Sequence, residues 1–410
     1  MSTLEDARTL DAADPLASVR DQFTLPEGVI YLDGNSLGAL PTSTIAAQQD
    51  AVERQWGADL IRSWNSNDWI GAPQRIGAKI APLIGAQPHE VIVTDSVSVN
   101  LFKLIVAATR LRPDRTHILT EPGNFPTDLY TADGVSDVLP NHQLHVEQAG
   151  DLIDAIGPET ALIMLTHVHY KSGARHEMGR ITDAAHEAGA LVLWDLSHSV
   201  GAIPVDLNDC GADLAVGCGY KYLNGGPGAP AFLFVREDLQ ETIRSPLSGW
   251  MGHAAPFEFR DDYEPAPGIS RFLCGTPPVL SLLALESGID LFAEIEMEAI
   301  AAKSASLFDL FATRIEERCG AHGLELITPR DPDHRGSHIS YRHPDGWPIS
   351  QALIERGVIG DFRAPDILRF GLTPLYLRHE DIWQAVEILG EILDSGIWRE
   401  PRFAEKAAVT

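Results

Sequence analysis

Between residues 88 and 236 the chain repeats one pattern, a short continuous run of apolar, often β-branched residues followed by a stretch of helical periodicity. The runs are Val91 to Thr94, His117 to Glu121, Ala161 to Val168, Ala190 to Leu196, Leu214 to Gly217 and Ala231 to Val235. A strand with one wet face alternates apolar and polar residues, whereas a continuous run belongs to a strand covered on both faces. With a crossover's length between them, these runs predict an α/β fold: a mostly parallel sheet flanked by helices. Ligands of such a sheet bind outside the carboxyl ends of its strands.

The remainder is organised around that sheet. Residues 51–280 are expected to form the large domain and residues 281–410 a linker helix plus a smaller C-terminal α/β domain. The Ala/Leu/Glu/Ile-rich stretch Ser281 to Arg318 supplies the linker. Strand-like Leu324 to Thr328 and His338 to Tyr341, with helical Ser350 to Arg356 and Glu380 to Ser395, supply the small domain. Residues 1–50 are expected to pack on the small domain or on a partner chain, and the last ten residues to form a loose tail.

Charge narrows the function. The chain has 58 acidic residues against 31 Lys plus Arg, a formal charge of −27, which opposes binding to nucleic acid or to an anionic membrane surface. Any phosphate held here must be held locally. The four cysteines, Cys210, Cys218, Cys274 and Cys319, have no CxxC spacing, so neither a disulfide framework nor a metal site is expected. The opening Met1 to Asp6 carries acid where a secretory signal needs base. No apolar stretch approaches the ~20 residues that span a bilayer, and a cytoplasmic, soluble protein is the expectation.

Two strand ends carry the chemistry. Asp195 closes the run Ala190 to Trp194, and Lys221 follows the next run in Cys218-Gly219-Tyr220-Lys221-Tyr222-Leu223-Asn224-Gly225-Gly226. A carboxylate directly after five apolar residues needs a cationic partner. An amine among small residues can approach a flat ligand, and burial there favours its uncharged, nucleophilic form. Together they suit pyridoxal phosphate: the lysine binds the aldehyde covalently and the aspartate keeps the pyridine nitrogen protonated, making the ring an electron sink. His198, three residues after Asp195, is placed to meet the ring. Asp95-Ser96-Val97-Ser98 ends another run and opens the helical stretch from Leu101, a turn that reads either as a plain N-cap or as a phosphate site. Phe125-Pro126-Thr127-Asp128 offers a ring for stacking and a carboxylate.

These segments resemble kynureninase, a fold-type I pyridoxal phosphate family of the aspartate aminotransferase superfamily. The resemblance rests on Tyr31-Leu32-Asp33-Gly34-Asn35-Ser36-Leu37-Gly38, Phe125 to Asp128, Asp195 to His198, Tyr220 to Asn224, Ser248-Gly249-Trp250-Met251-Gly252-His253, Gly275-Thr276-Pro277-Pro278 and Leu368-Arg369-Phe370-Gly371. The Asp and Lys pair marks only the superfamily, whereas the Gly-Asn-Ser-Leu-Gly and Gly-Trp-Met-Gly-His segments are particular to the family. It implies that Lys221 anchors the cofactor, Asp195 pairs with its ring nitrogen and His198 lies beside the ring. Val97 and Ser98 would contact phosphate, Phe125 would stack with Asp128 nearby, and Thr166 would stand at the cofactor. Tyr220 would touch phosphate and relay a proton, while Trp250 and Thr276 would complete the phosphate site from a second subunit of a homodimer.

Arg369 would clamp the substrate α-carboxylate in a bidentate fork, with Asn35 and Ser36 also at the substrate. Trp64 and Gly275 stand where animal members use His and Ser to favour a ring-hydroxylated substrate, so the resemblance is to the bacterial, kynurenine-preferring type. The implied reaction is hydrolysis of L-kynurenine, with 3-hydroxy-L-kynurenine as a further substrate, to anthranilate and L-alanine in tryptophan catabolism or NAD precursor supply. Two alternatives stay open: another fold-type I enzyme such as a cysteine desulfurase or aminotransferase, and a binding protein that keeps the fold without turnover. A desulfurase needs a nucleophilic cysteine on a mobile loop, a role for which Cys274 is the candidate.

Overall fold

The computed structural model describes residues 3–405. The central sheet contains β1 (Val91–Val93), β2 (His117–Thr120), β3 (Gln143–Val146), β4 (Thr160–Thr166), β5 (Leu191–Asp195), β6 (Leu214–Cys218) and β7 (Ala231–Val235), in the spatial order β1-β7-β6-β5-β4-β2-β3. β7 runs antiparallel to β1 and β6, and every other neighbouring pair is parallel. All residues of β4 to β7 are buried, the reason their sequences are apolar without alternation. β3 was not anticipated from sequence. It is an edge strand with none of its residues buried, and an exposed edge need not carry an apolar run.

The small sheet is antiparallel, with β8 (Glu325–Leu326), β9 (His338–Arg342), β10 (Asp361–Arg363) and β11 (Ile367–Gly371) in the order β8-β9-β11-β10. Its two faces have different jobs. Tyr341 of β9 and Phe370 of β11 pack on Phe311 of the helix Met297–Cys319. Ser340 and Arg369 are opposite each other in the register, and the Arg369 guanidinium reaches the carbonyl of Tyr170, just beyond β4. That face looks into the large sheet's carboxyl edge.

The stretch 281–318 is not one helix. Val279–Ile289 and Met297–Cys319 are separate, joined through the short turn Asp290–Phe292. The break lets Phe292 bury itself against Gly201, a left-handed residue (φ 73°) where a Cβ would lie 3.0 Å from the Phe292 ring. The N-terminal helix Leu4–Ala12 packs on His379–Ser395, Asp11 accepting the backbone N–H groups of His379 (2.6 Å) and Glu380 (3.0 Å). Ile30–Tyr31 then pairs in parallel with Val358–Ile359. From there residues 32–38 run between the two sheets until the Gly38 N–H meets the Tyr220 carbonyl at 2.8 Å.

At the other terminus, Pro401–Phe403 forms a turn with Phe403 buried. The start of the expected tail is therefore packed, anchored by one aromatic side chain, and residues 406–410 lie outside the described residues. Among the described residues no helix is long and apolar enough to cross a membrane.

Candidate active site

Parallel register puts the strand ends side by side. Thr166 at the end of β4 pairs with Asp195 at the end of β5, and Asp195 pairs with Val216 of β6. Asp195 is buried and accepts the Ser197 N–H at 2.8 Å. Asp128, also buried, comes from the first turn of the helix Pro126–Val138. The Thr166 hydroxyl lies between Asp128 Oδ2, at 3.2 Å, and Asn124 Oδ1.

Two buried carboxyls in contact are electrostatically costly. Burial, and then the charge of Asp195, hold the Asp128 carboxyl well above the ordinary range. Burial likewise raises Asp195. Asp128 Oδ1 has no hydrogen-bond partner. Such a carboxyl pair has the chemistry to accept a positively charged N–H.

Lys221 lies in the turn after β6. That turn closes with Asn224 in the left-handed region (φ 56°), its N–H on the Lys221 carbonyl at 2.9 Å and its side-chain amide on the Tyr222 carbonyl at 2.8 Å. Gly219 is required because a Cβ there would sit 2.5 Å from the Pro230 carbonyl oxygen. Lys221 is 8% exposed, and its Nζ is 3.0 Å from His198 Nε2. Burial, reinforced by the Lys221 charge, depresses His198 far below the usual imidazole range, so the ring is neutral and accepts the lysine N–H. The same Nζ is 5.7 Å from the centre of the Phe125 ring and 5.9 Å from that of Tyr220. Burial pushes the Tyr220 phenol above its ordinary range.

Val97, Ser98, Phe125, Thr166, Asp195, His198, Tyr220 and Lys221 line one cavity of about 140 Å³. The helix Val97–Arg110 begins at its wall. The N-cap is Ser96, whose hydroxyl accepts the Val99 N–H at 3.4 Å, so Ser98 sits in the first turn, where a helix leaves N–H groups without intrahelical acceptors. Asn124, absent from the sequence reading, takes the Phe125 N–H at 2.8 Å and donates to Thr120 at 3.1 Å. It fixes the Phe125 backbone and Thr166 at once.

Arg369 is 1% exposed. Its Nε and Nη2 edge meets Asp361, with Nε to Oδ1 at 2.8 Å, and Nη2 also donates to Ser36 at 2.9 Å. Arg363 joins the same group, donating to Asp361 Oδ2 at 2.6 Å and to Ser36 at 3.1 Å. Burial, the largest single influence, would raise Asp361, but the charge and hydrogen bond of Arg369, with Arg363 and Ser36, together outweigh it and hold the carboxyl below its usual range. Asp361 and Arg363 were missed because nothing local marks them. Asn35 is buried beside this group and neither of its amide atoms has a partner.

Trp250, Gly275, Thr276 and Trp64 stand apart from both the Lys221 cavity and the Arg369 group. Trp250 is 38% exposed and packs its ring against Phe257 and Phe259 on the surface. Gly275 and Thr276 line a larger adjoining cavity of about 490 Å³ that shares Ser96 and Tyr220 with the first. Trp64 is half-buried against Trp69, ring centres 6.0 Å apart. Cys274 lines neither of these two cavities.

The architecture has close structural counterparts. An apo cysteine desulfurase from Thermococcus onnurineus NA1 matches with a TM-score of 0.78 at 19% identity, over 92% of this chain and 98% of that one. A C-DES mutant with glycine covalently linked to its PLP cofactor matches with a TM-score of 0.76 at 18% identity, over 90% and 98%. At such identity the likeness is of fold, and the fold is that of the type I pyridoxal phosphate enzymes. The family is more particular. Residues 300–389 match the Kynureninase C-terminal domain, and a protein named kynureninase from Burkholderia mallei (strain SAVP1) is 52% identical over 416 residues, covering all of both chains. The chain belongs to the kynureninase family.

Proposed function

We propose that this enzyme hydrolyses L-kynurenine to anthranilate and L-alanine with pyridoxal phosphate as cofactor. Full-length identity of 52% to a kynureninase is the observation that carries the reading. The residues fit the cofactor: Asp128 Oδ1 is buried without a hydrogen-bond partner beside the buried Asp195 carboxyl, and the helix starting at Val97 opens at the cavity wall. Lys221 would hold the aldehyde, Asp195 the ring nitrogen, Phe125 one ring face, His198 the ring edge, and Val97 with Ser98 the phosphate. When bound, the cofactor supplies an electron sink for charge developing on the substrate's α and β carbons.

This chain's side chains do the rest. Arg369, oriented by Asp361 and Ser36, holds the α-carboxylate, with Asn35 alongside. Lys221 would take the substrate's α-proton; His198 at 3.0 Å accepts its hydrogen bond and keeps it oriented. Tyr220 moves a proton at the γ-carbonyl oxygen as water adds there. The β–γ bond then breaks, the aryl half leaving as anthranilate and the three-carbon half as alanine. Trp250 and Thr276 reach the phosphate of a second subunit, making the working form a homodimer. Trp64 and Gly275 favour the ring without the 3-hydroxyl.

A continuous assay of anthranilate fluorescence tests this, with 3-hydroxykynurenine and cysteine as competing substrates. Turnover of kynurenine with higher kcat/KM than its 3-hydroxy form is expected. Equal efficiency removes the role given to Trp64 and Gly275, and sulfide release from cysteine without anthranilate from kynurenine overturns the reaction.

A further inference from the structure

Lys103 lies in the second turn of the helix Val97–Arg110, its side chain 0% exposed. Its helical neighbours Leu101, Leu104, Ile105 and Val106 are buried and apolar. An ammonium in such surroundings is costly unless it is paired and fully hydrogen-bonded. Its Nζ donates to Asp95 Oδ2 and, at 2.6 Å, to the Phe272 carbonyl.

Each of those partners anchors something. Asp95 holds φ at 49°, a left-handed backbone that a non-glycine residue adopts only under constraint. The constraint comes from the Ala231 N–H on its carbonyl at 2.8 Å, and from the Thr94 hydroxyl (2.8 Å) and Lys103 on its carboxylate. The next residues, Ser96, Val97 and Ser98, are the turn at the end of the Lys221 cavity. Phe272 ends the turn Gly268–Phe272 and is followed by Leu273 to Thr276. The Met251 N–H meets the Cys274 carbonyl at 3.3 Å, and Gly249 is pressed so closely on Cys274 that a Cβ there would lie 2.1 Å from the same oxygen. The segments bearing Trp250 and Thr276 are therefore packed on each other just beyond Phe272.

We propose that Lys103 is a positioning residue for cofactor phosphate: it holds Asp95, which leads into the turn at 96–98, in its left-handed form and ties that turn to the loops carrying Trp250 and Thr276. This rests on the reading of the turn as the phosphate site. A methionine would fill the same volume, so the charge accounts for a lysine here.

The test compares binding of pyridoxal phosphate and of phosphate-free pyridoxal to apo-protein, followed by absorbance, with melting measured alongside. In the parent chain, tighter binding of the phosphorylated form is expected; equal binding rejects the phosphate reading of the turn itself. In Lys103→Met, affinity for pyridoxal phosphate should fall about tenfold or more, the scale of losing a charge-assisted contact, while pyridoxal affinity changes less than about twofold. Asp95→Gly added to Lys103→Met should recover much of the loss, because glycine adopts positive φ unaided. Asp95→Asn, a milder change, should weaken binding in the same direction. Unchanged phosphate-form affinity in Lys103→Met and Asp95→Asn overturns the proposal, as does an equal fall for both ligands together with the melting temperature.

Discussion

The two groups of expected site residues were treated very differently by the fold. Those at the carboxyl ends of β4, β5 and β6, with the turns after β1 and β2, converge on one buried cavity. Trp250, Trp64, Gly275 and Thr276 lie on other surfaces. Trp250 sits in an exposed aromatic cluster with Phe257 and Phe259, 60% and 75% exposed. Rigid parallel strands can complete a chemical centre within one chain, whereas long loops project outward; in the proposed homodimer they would serve another copy. Exposed aromatic rings are common where surfaces meet.

The largest expected effect strikes the buried group. Lys221→Ala should lower turnover by at least roughly 10⁴-fold, since cofactor anchoring and proton transfer are lost together, and it should abolish the visible absorbance of the purified protein while the melting temperature stays near the parent's. Survival of turnover would remove the lysine from the chemistry. Arg369→Lys comes next. Exchanging a planar fork for a point charge should reduce kcat/KM by about 10- to 100-fold, mainly through KM. A fall confined to kcat would move Arg369 away from the substrate carboxylate.

Mixing variants separates the buried centre from the exposed loops. Lys221→Ala and Trp250→Asp, each with little activity alone, should regain activity when mixed, because one hybrid site then has both Lys221 and the partner's intact loop. No gain on mixing, with subunit exchange verified by mass, would place Trp250 and Lys221 in the same chain's site.

A smaller effect concerns Asp33, where burial and then the charge of Asp361 raise the carboxyl to about 7. The fold prefers its protonated form. Its stabilisation is therefore complete below about pH 4 and is lost as pH rises through about 7. Asp33→Asn stays neutral, so the apo variant should melt roughly 2–5 °C above the parent at pH 8, with the gap closing by pH 4. A gap independent of pH would mean that Asp33 is ionised throughout.

Legibility in the sequence followed burial. The continuous runs marked β4 to β7 because both faces of those strands are covered, and Asp195 and Lys221 stood out as polar groups at the ends of such runs. β3 escaped because an exposed edge imposes no pattern. The helix break after Ile289 escaped because helical residues continue through it; only the tertiary need to bury Phe292 turns the chain. Arg369 was legible through its motif, but Asp361 and Arg363, which hold or share its fork, were not. They are single polar residues brought in by pairing of β10 with β11. Asn124 and Lys103 escaped likewise, since each acts on residues that only packing places beside it.

Borohydride reduction of the cofactor-loaded enzyme, followed by peptide mapping, locates the covalent anchor. A pyridoxyl group on Lys221 alone is expected. A label on another lysine, or none, would contradict it.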